Sequence, residues 1–79
     1  MEKKSITSKQ CKAARDLLGW KQDNLSKIAG LGITTIREFE SKNRKLTTRT
    51  LRDIKTTFEE AGITFINEDG EIGVKLKSS

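Results

Sequence analysis

Two runs of helix-spaced apolar residues, separated by a glycine, constrain the fold of this chain more than any other feature. Each run has the spacing of an amphipathic helix, so the sequence predicts two short helices that each bury one face. Gly30 stands where the chain must reverse sharply, and glycine tolerates the positive φ that such a turn requires. The apolar positions are Leu25, Ile28 and Ala29 before the turn, and Ile36 and Phe39 after it.

The second of these helices, at about residues 33–41, would leave one face exposed. By helical spacing its outward residues are Ile33, Thr34, Arg37 and Glu38. Small and charged residues on an exposed helix of a basic protein suit the major groove of DNA. There Glu38 would accept a hydrogen bond from a cytosine amino group, and the alternative is a solvated ion pair with Arg37 or Lys42.

Positive charge is concentrated in one part of the chain. Residues 1–55 carry 14 Lys/Arg against 6 Asp/Glu, a net charge of +8, whereas residues 56–79 carry a net charge of −3. A localised positive field attracts polyanions and speeds their encounter. We therefore expect the basic loop of Lys42, Arg44 and Lys45 to bind DNA phosphates, and the alternative is an ordinary charged loop.

Composition argues against several classes of protein. Seventy-nine residues make one small domain, and no apolar run approaches the roughly 20 residues of a membrane span, so a cytoplasmic protein is expected. Cys11 is the only cysteine and histidine is absent, which leaves no internal disulfide and no metal cluster. We expect Cys11 to be a small core residue rather than a reactive thiol. No cofactor site, small-molecule site or catalytic constellation is evident, so an enzyme is not expected.

The remaining helices have recognisable ends. Thr7 and Gln10 have the spacing of a capping box, so the first helix is expected from there to about Leu18, with Gly19 ending it. The second helix is expected over about 22–29, and a fourth from Thr47 or Thr48 to just before residue 62. In the first helix the inward residues are predicted to be Cys11, Ala14, Leu17 and Leu18, with Trp20 as a core anchor behind them.

The C-terminal segment changes from a helical period to a period of two. Residues 63–66 and 72–76 flank the pair Asp69-Gly70, which predicts a β-hairpin with Ile72, Val74 and Leu76 on one face. An isolated two-stranded hairpin is marginal in water, so it must pack on the helices or pair with a second copy. We favour a homodimer through the hairpin. Residues 1–5 are predicted to be arm-like.

Together these residues resemble the Cro/XRE-type helix-turn-helix family of bacterial and phage repressors. The resemblance is carried by Ala-Ala-Arg-Asp-Leu-Leu-Gly-Trp-Lys-Gln at 13–22, Leu25 with Gly30, Thr-Thr-Ile-Arg-Glu-Phe-Glu at 34–40, Thr-Leu at 50–51 and Ala-Gly-Ile-Thr-Phe at 61–65. It implies a mostly α, lambda-repressor-like bundle of four to five short helices with a C-terminal β-hairpin. The DNA-binding domain would span residues 1–62, with the motif at about 21–41 and the hairpin at 63–79.

The resemblance also implies roles for individual residues. Ile33, Thr34 and Glu38 match positions that reach base edges, and Arg15 and Glu40 match a structural ion pair. The chain departs from the family at Lys21, where a capping Ser, Thr or Asn is usual, at Lys42, where glycine is frequent, and at Ile33, where a polar reader is more usual. The expected phosphate contacts are Lys21, Gln22, Gly32, Thr35, Lys42, Asn43, Arg44 and Lys45.

These features together predict a sequence-specific DNA-binding transcriptional regulator. It would act as a repressor or autoregulator and bind a palindromic operator in double-stranded DNA as a dimer. The alternative is a protein-interaction module of the same fold, such as an antitoxin or a transcription coregulator.

Overall fold

The computed structural model describes residues 6–68 and 70–77, which form four α-helices followed by an antiparallel two-stranded sheet. This order of helices and hairpin confirms the coarse prediction from the sequence. Residues 1–5, predicted to be an arm, and Asp69 of the predicted turn lie outside the described residues. The helices are α1 (Ser8–Leu18), α2 (Gln22–Ala29), α3 (Ile33–Lys42) and α4 (Thr48–Glu60), and the strands are β1 (Ile63–Glu68) and β2 (Glu71–Leu76).

The helix ends follow from local sequence. Thr7 Oγ1 accepts a hydrogen bond from the N–H of Gln10 at 3.1 Å, and Gln10 Oε1 accepts one from the N–H of Thr7 at 3.0 Å, which confirms the capping box. Gly19 ends α1 at φ 73°, and Asn43 ends α3 at φ 55°. Because each of these signals lies within a few residues of the helix end, the helix bounds were predictable.

The core lies between the four helices and one face of the sheet. Its centre is Phe58 of α4, whose ring stacks on Trp20 at a centroid distance of 5.6 Å and meets Phe65 of β1 edge-on at 6.0 Å. Trp20 therefore anchors the end of α1, as predicted. The buried apolar residues are Ile6, Cys11, Ala14, Leu25, Ile36, Phe39, Ile54, Phe58 and Ile63.

Two residues predicted to face inward do not. Leu17 is 44% exposed because α1 is rotated so that Arg15, rather than Leu17, lies in the interior. Ile28 is 57% exposed because α2 presents Leu25 and the polar side chain of Gln22 to the rest of the protein. In both helices a hydrogen-bonded polar group occupies interior space that periodicity alone assigned to an apolar one.

The hairpin packs against the protein's own helices. Its register pairs Ile63 with Leu76 and Glu68 with Glu71, so only residues 69 and 70 connect strands that are longer than predicted. Gln10 on α1 donates through Nε2 to the carbonyl of Ile66 at 3.2 Å and to the carbonyl of Gly73 at 2.9 Å. These two bonds attach both strands to α1. Among the described helices, none has the length and apolar character needed to cross a membrane.

Substitution of Gly30 tests whether the turn between α2 and α3 requires the backbone conformation of glycine. The φ of Gly30 is +71°, and a Cβ built there meets nothing within 4 Å, so a Gly30→Ala change strains only the backbone. We expect the free energy of unfolding to fall by about 1–2 kcal/mol in urea denaturation.

Gly73→Ala is the matched control, because it adds a Cβ in equally open space without a positive φ. It is expected to raise the free energy of unfolding by about 0.5 kcal/mol. Equal losses in the two variants would mean that backbone conformation at Gly30 is not what the turn requires.

Candidate nucleic-acid interface

The outer face of α3 carries exposed polar side chains opposite its buried residues. Ile36 and Phe39 are buried in the core, whereas Thr34 and Arg37 are exposed and Glu38 is half-buried. Ile33 is also half-buried, which corrects the expectation that it is fully exposed. The outer face thus offers hydroxyl, guanidinium and carboxylate groups, with one partly covered apolar residue at its start.

A carboxylate cluster fixes the inner face of α3 to α1 and α2. Arg15 donates to both carboxylate oxygens of Glu40, from Nη2 to Oε1 at 2.7 Å and from Nε to Oε2 at 2.8 Å. This confirms the expected ion pair and shows that it is bidentate. Gln22 Nε2 also donates to Oε1 at 3.0 Å, so this side chain braces α3 from the first turn of α2. Three helices are therefore joined at one buried side chain.

Cys11 is a third donor to this cluster, which the sequence did not indicate. Its thiol lies 3.2 Å from Glu40 Oε2 and is completely buried, in agreement with its expected place in the core. Burial, followed by the hydrogen bond to Glu40, raises the pKa of this thiol far above its ordinary value. The thiol is therefore a neutral donor at neutral pH, and unsuited to nucleophilic chemistry.

The carboxylate of Glu40 stays ionised despite its burial. Burial opposes ionisation, but hydrogen bonds from Arg15, Gln22 and Cys11 outweigh it and hold the Glu40 pKa below its ordinary value of 4.5. A carboxylate that accepts several hydrogen bonds is stabilised in its charged form. The cluster is therefore intact at neutral pH, and it orients α3 relative to α1 and α2.

Acid should weaken this cluster in a way that Glu40→Gln removes. A depressed carboxyl pKa in the folded state stabilises the protein above pH 4.5, and this stability is lost as the pH falls through the folded-state value. We expect wild type to exceed Glu40→Gln in free energy of unfolding at pH 7. The gap should narrow steadily as urea denaturation is repeated down to about pH 3. If the difference in free energy of unfolding between the two proteins stays constant over this range, Glu40 is not an ionised, hydrogen-bonded carboxylate in the folded protein.

The first turn of α2 lies beside the C-terminal half of α3, because Gln22 contacts Glu40. Lys21 precedes this turn and is exposed. Its N–H donates to Asn24 Oδ1 at 2.8 Å, while its ammonium group cannot cap the helix. As the sequence predicts, α2 therefore lacks a side-chain cap, and its first turn retains backbone donors that suit an anion.

The other predicted phosphate contacts lie at the two ends of α3. Gly32 is the residue before the helix, at φ −70°, and Thr35 is half-buried in its first turn. At the far end, Lys42, Arg44 and Lys45 are all exposed. Lys42, predicted to lie in the basic loop, is instead the last residue of α3, because the helix ends at Asn43. Asn43 directs this loop through its positive φ, and it accepts a hydrogen bond from Ser8 Oγ at 2.9 Å.

Glu38 has a partner that the sequence did not identify. Its Oε1 lies 3.1 Å from Arg44 Nη1, so the ion pair is with Arg44 rather than with Arg37 or Lys42. Helical spacing favoured the two residues on the same helix. The left-handed conformation of Asn43 instead turns the chain so that Arg44 returns toward α3.

No family model matches this chain, and no similar protein was found among the curated proteins.

Proposed function

We propose that this protein is a sequence-specific DNA-binding transcriptional regulator. The observation that supports this most strongly is the pairing of two features of α3. Its inner face is fixed by the buried Glu40 cluster, while its outer face exposes polar side chains next to a basic loop. A helix held rigidly with polar groups outward is the arrangement that base reading in a groove requires.

In this proposal α2 and α3 form the helix-turn-helix motif of a lambda-repressor-like bundle of the Cro/XRE type. The turn at Gly30 and the contact between Gln22 and Glu40 support that assignment. Helix α3 enters the major groove, where Thr34, Arg37 and Glu38 reach base edges and Ile33 contacts a thymine methyl.

Phosphate contacts surround this helix. The α2 N-terminus, with Lys21 and Gln22, and the loop from Lys42 to Lys45 bind the backbone on the two sides of the groove. Gly32 and Thr35 approach it at the start of α3. Backbone contacts fix the register of the protein on DNA and do not select the sequence.

The hairpin is the proposed dimer contact. It packs on α1 and α4, yet Ile72 and Leu76 remain 65% and 43% exposed on the apolar face of the sheet. A second copy of the chain that covers these residues would bring two α3 helices to successive major grooves. Sedimentation equilibrium at tens of micromolar should give a dimer for wild type and a monomer for Ile72→Lys. A monomeric wild type would contradict the dimer.

The proposal is tested by selecting duplex DNA from a random library at about 150 mM salt, followed by sequencing. We expect enrichment of a two-fold symmetric motif with half-sites about 10 bp apart. Binding without any enriched motif, which disappears as salt rises, would overturn base reading and leave a non-specific basic surface.

Arg37→Ala and Lys45→Ala should separate base reading from phosphate binding, because both side chains are exposed but only Arg37 lies on α3. Arg37→Ala should change the enriched sequence. Lys45→Ala should weaken binding to all sequences alike. It should also lower by about one the slope of the logarithm of DNA affinity against the logarithm of salt concentration. If both variants only lower the slope, α3 is not the reader.

A protein-interaction module is the second candidate. The exposed side chain of Ile28 on α2 favours it, because a large apolar group in solvent suits a protein partner. Salt dependence discriminates between the two functions. A steep loss of DNA affinity with salt, together with an enriched motif, supports the regulator, and weak DNA binding at low salt supports the protein partner.

A further inference from the structure

Arg44 contacts Glu38 through both its backbone and its side chain. The Arg44 N–H donates to the carbonyl of Glu38 at 3.2 Å, and Arg44 Nη1 donates to the Glu38 carboxylate at 3.1 Å. The left-handed Asn43 brings Arg44 back to α3 and makes both contacts possible. A residue outside the helix therefore fixes the direction of a side chain on the outer face of α3.

Stability does not account for this pair. The Arg44 and Glu38 side chains are 47% and 36% exposed, and exposed ion pairs contribute at most a small fraction of the stability of a domain. The two backbone bonds that close the end of α3, from the N–H groups of Asn43 and Arg44 to the carbonyl of Glu38, do not involve the Arg44 side chain. The consequences of the pair are therefore the position of the Glu38 carboxylate and the cancellation of its charge.

Both consequences matter where a carboxylate faces DNA. The phosphates repel an unpaired carboxylate, and most groups on the floor of the major groove are acceptors that repel it as well. The amino group of cytosine is a donor that a carboxylate can recognise, provided that its charge is offset and its direction is fixed. Arg44 does both for Glu38.

We propose that Arg44 is a specificity-positioning residue, which holds Glu38 as a neutralised acceptor for the amino group of a cytosine in the operator. This inference rests on the proposed function and goes beyond a phosphate-binding role for Arg44. Within the described residues the Arg44 side chain donates a hydrogen bond only from Nη1, and its side chain is 47% exposed, so its other nitrogens can bind a phosphate at the same time.

The first part of the test compares sequences selected from random duplex DNA by wild type, Glu38→Gln and Arg44→Ala. Wild type should require cytosine at one position of each half-site, with other bases bound about tenfold more weakly. Both variants should lose this preference at the same position. A residue that binds only phosphate would leave the preference intact.

The second part measures charge rescue on the wild-type operator. Arg44→Ala leaves Glu38 unpaired in the groove, so we expect affinity to fall by about tenfold or more. Adding Glu38→Gln to Arg44→Ala should recover part of this loss, although Glu38→Gln alone weakens operator binding. Glu38→Gln would thus lower operator affinity in the wild-type protein but raise it in Arg44→Ala. This opposite effect in the two backgrounds is expected only if Arg44 acts through Glu38.

Lys45→Ala is the matched control, since Lys45 is an exposed cation of the same loop without a contact to Glu38. Glu38→Gln should weaken operator binding to the same extent in the Lys45→Ala background as in wild type. Arg44→Gln, which removes the charge but keeps the first two methylene groups of the side chain, replaces Arg44→Ala if thermal melting shows that the alanine variant is unfolded.

The outcomes separate this inference from the proposed function. An enriched wild-type motif that Arg44→Ala retains at every position, with uniformly weaker binding, overturns the inference and leaves the regulator standing. A wild-type protein that enriches no motif overturns both.

Discussion

Replacing Arg15 with alanine is expected to lower the free energy of unfolding by about 3–5 kcal/mol, because it leaves the buried Glu40 carboxylate without its cationic partner. Three hydrogen bonds disappear, two to Glu40 and one of 3.0 Å from Arg15 Nη1 to the carbonyl of Trp20. The remaining donors, Gln22 and Cys11, are neutral and do not compensate for the burial of the charge. Urea denaturation at pH 7 measures the loss.

Lys12→Ala is the control for Arg15→Ala. Lys12 also belongs to an ion pair on α1, but its nitrogen lies 3.9 Å from Asp16 and both side chains are more than 60% exposed. We expect a change within about 0.5 kcal/mol. A loss below about 1 kcal/mol for Arg15→Ala would show that the cluster is not a buried ion pair in solution.

Phe58→Ala is expected to cost about 3–5 kcal/mol as well, for a different reason. Phe58 is completely buried and contacts the rings of both Trp20 and Phe65, so its truncation leaves a cavity beside both rings. A domain of this size has a thin core, and a typical domain is stable by only about 5–15 kcal/mol, so the variant should be partly unfolded near 37 °C. Fluorescence of Trp20, the only tryptophan, reports the transition.

Leu17→Ala distinguishes cavity formation from a general loss of apolar surface. Leu17 is 44% exposed, so we expect its truncation to cost less than about 1 kcal/mol. If Leu17→Ala destabilises as strongly as Phe58→Ala, then α1 in solution is rotated so that Leu17 faces the core.

The parts of the fold that depend on near neighbours in the chain were predictable. The capping box of Thr7 and Gln10 begins α1, while Gly19 and Asn43 end α1 and α3. Each of these residues acts on groups only a few positions away, so their roles follow from local geometry. The rotation of a helix about its own axis, which decides the face that it buries, was harder to predict from the sequence. Leu17 was expected in the core because periodicity ranks residues by hydrophobicity, whereas Arg15 takes an interior position once Glu40 neutralises it.

In the candidate site, too, some features were predictable from the sequence and others were not. Helical spacing alone identified Thr34 and Arg37 as exposed but missed the partial burial of Ile33, and resemblance to a family supplied the pair of Arg15 with Glu40. The thiol of Cys11 and the side chain of Arg44 were not predicted as partners of Glu40 and Glu38. Cys11 is 29 residues from its partner, and the reach of Arg44 depends on the backbone conformation of a loop. Neither relation is encoded in a short-range pattern.

The attachment of Gln10 to the hairpin has a kinetic consequence. Gln10 and Gly73 are 63 positions apart, so the chain must close a loop of most of its length before these bonds form. Loop-closure entropy and long-range contacts slow folding, so this protein should fold more slowly than a helical bundle of equal size with only local contacts. During synthesis, α1 cannot reach its final packing until β2 has been made. A nascent chain that stops before β2 would therefore expose the part of α1 that packs on the hairpin.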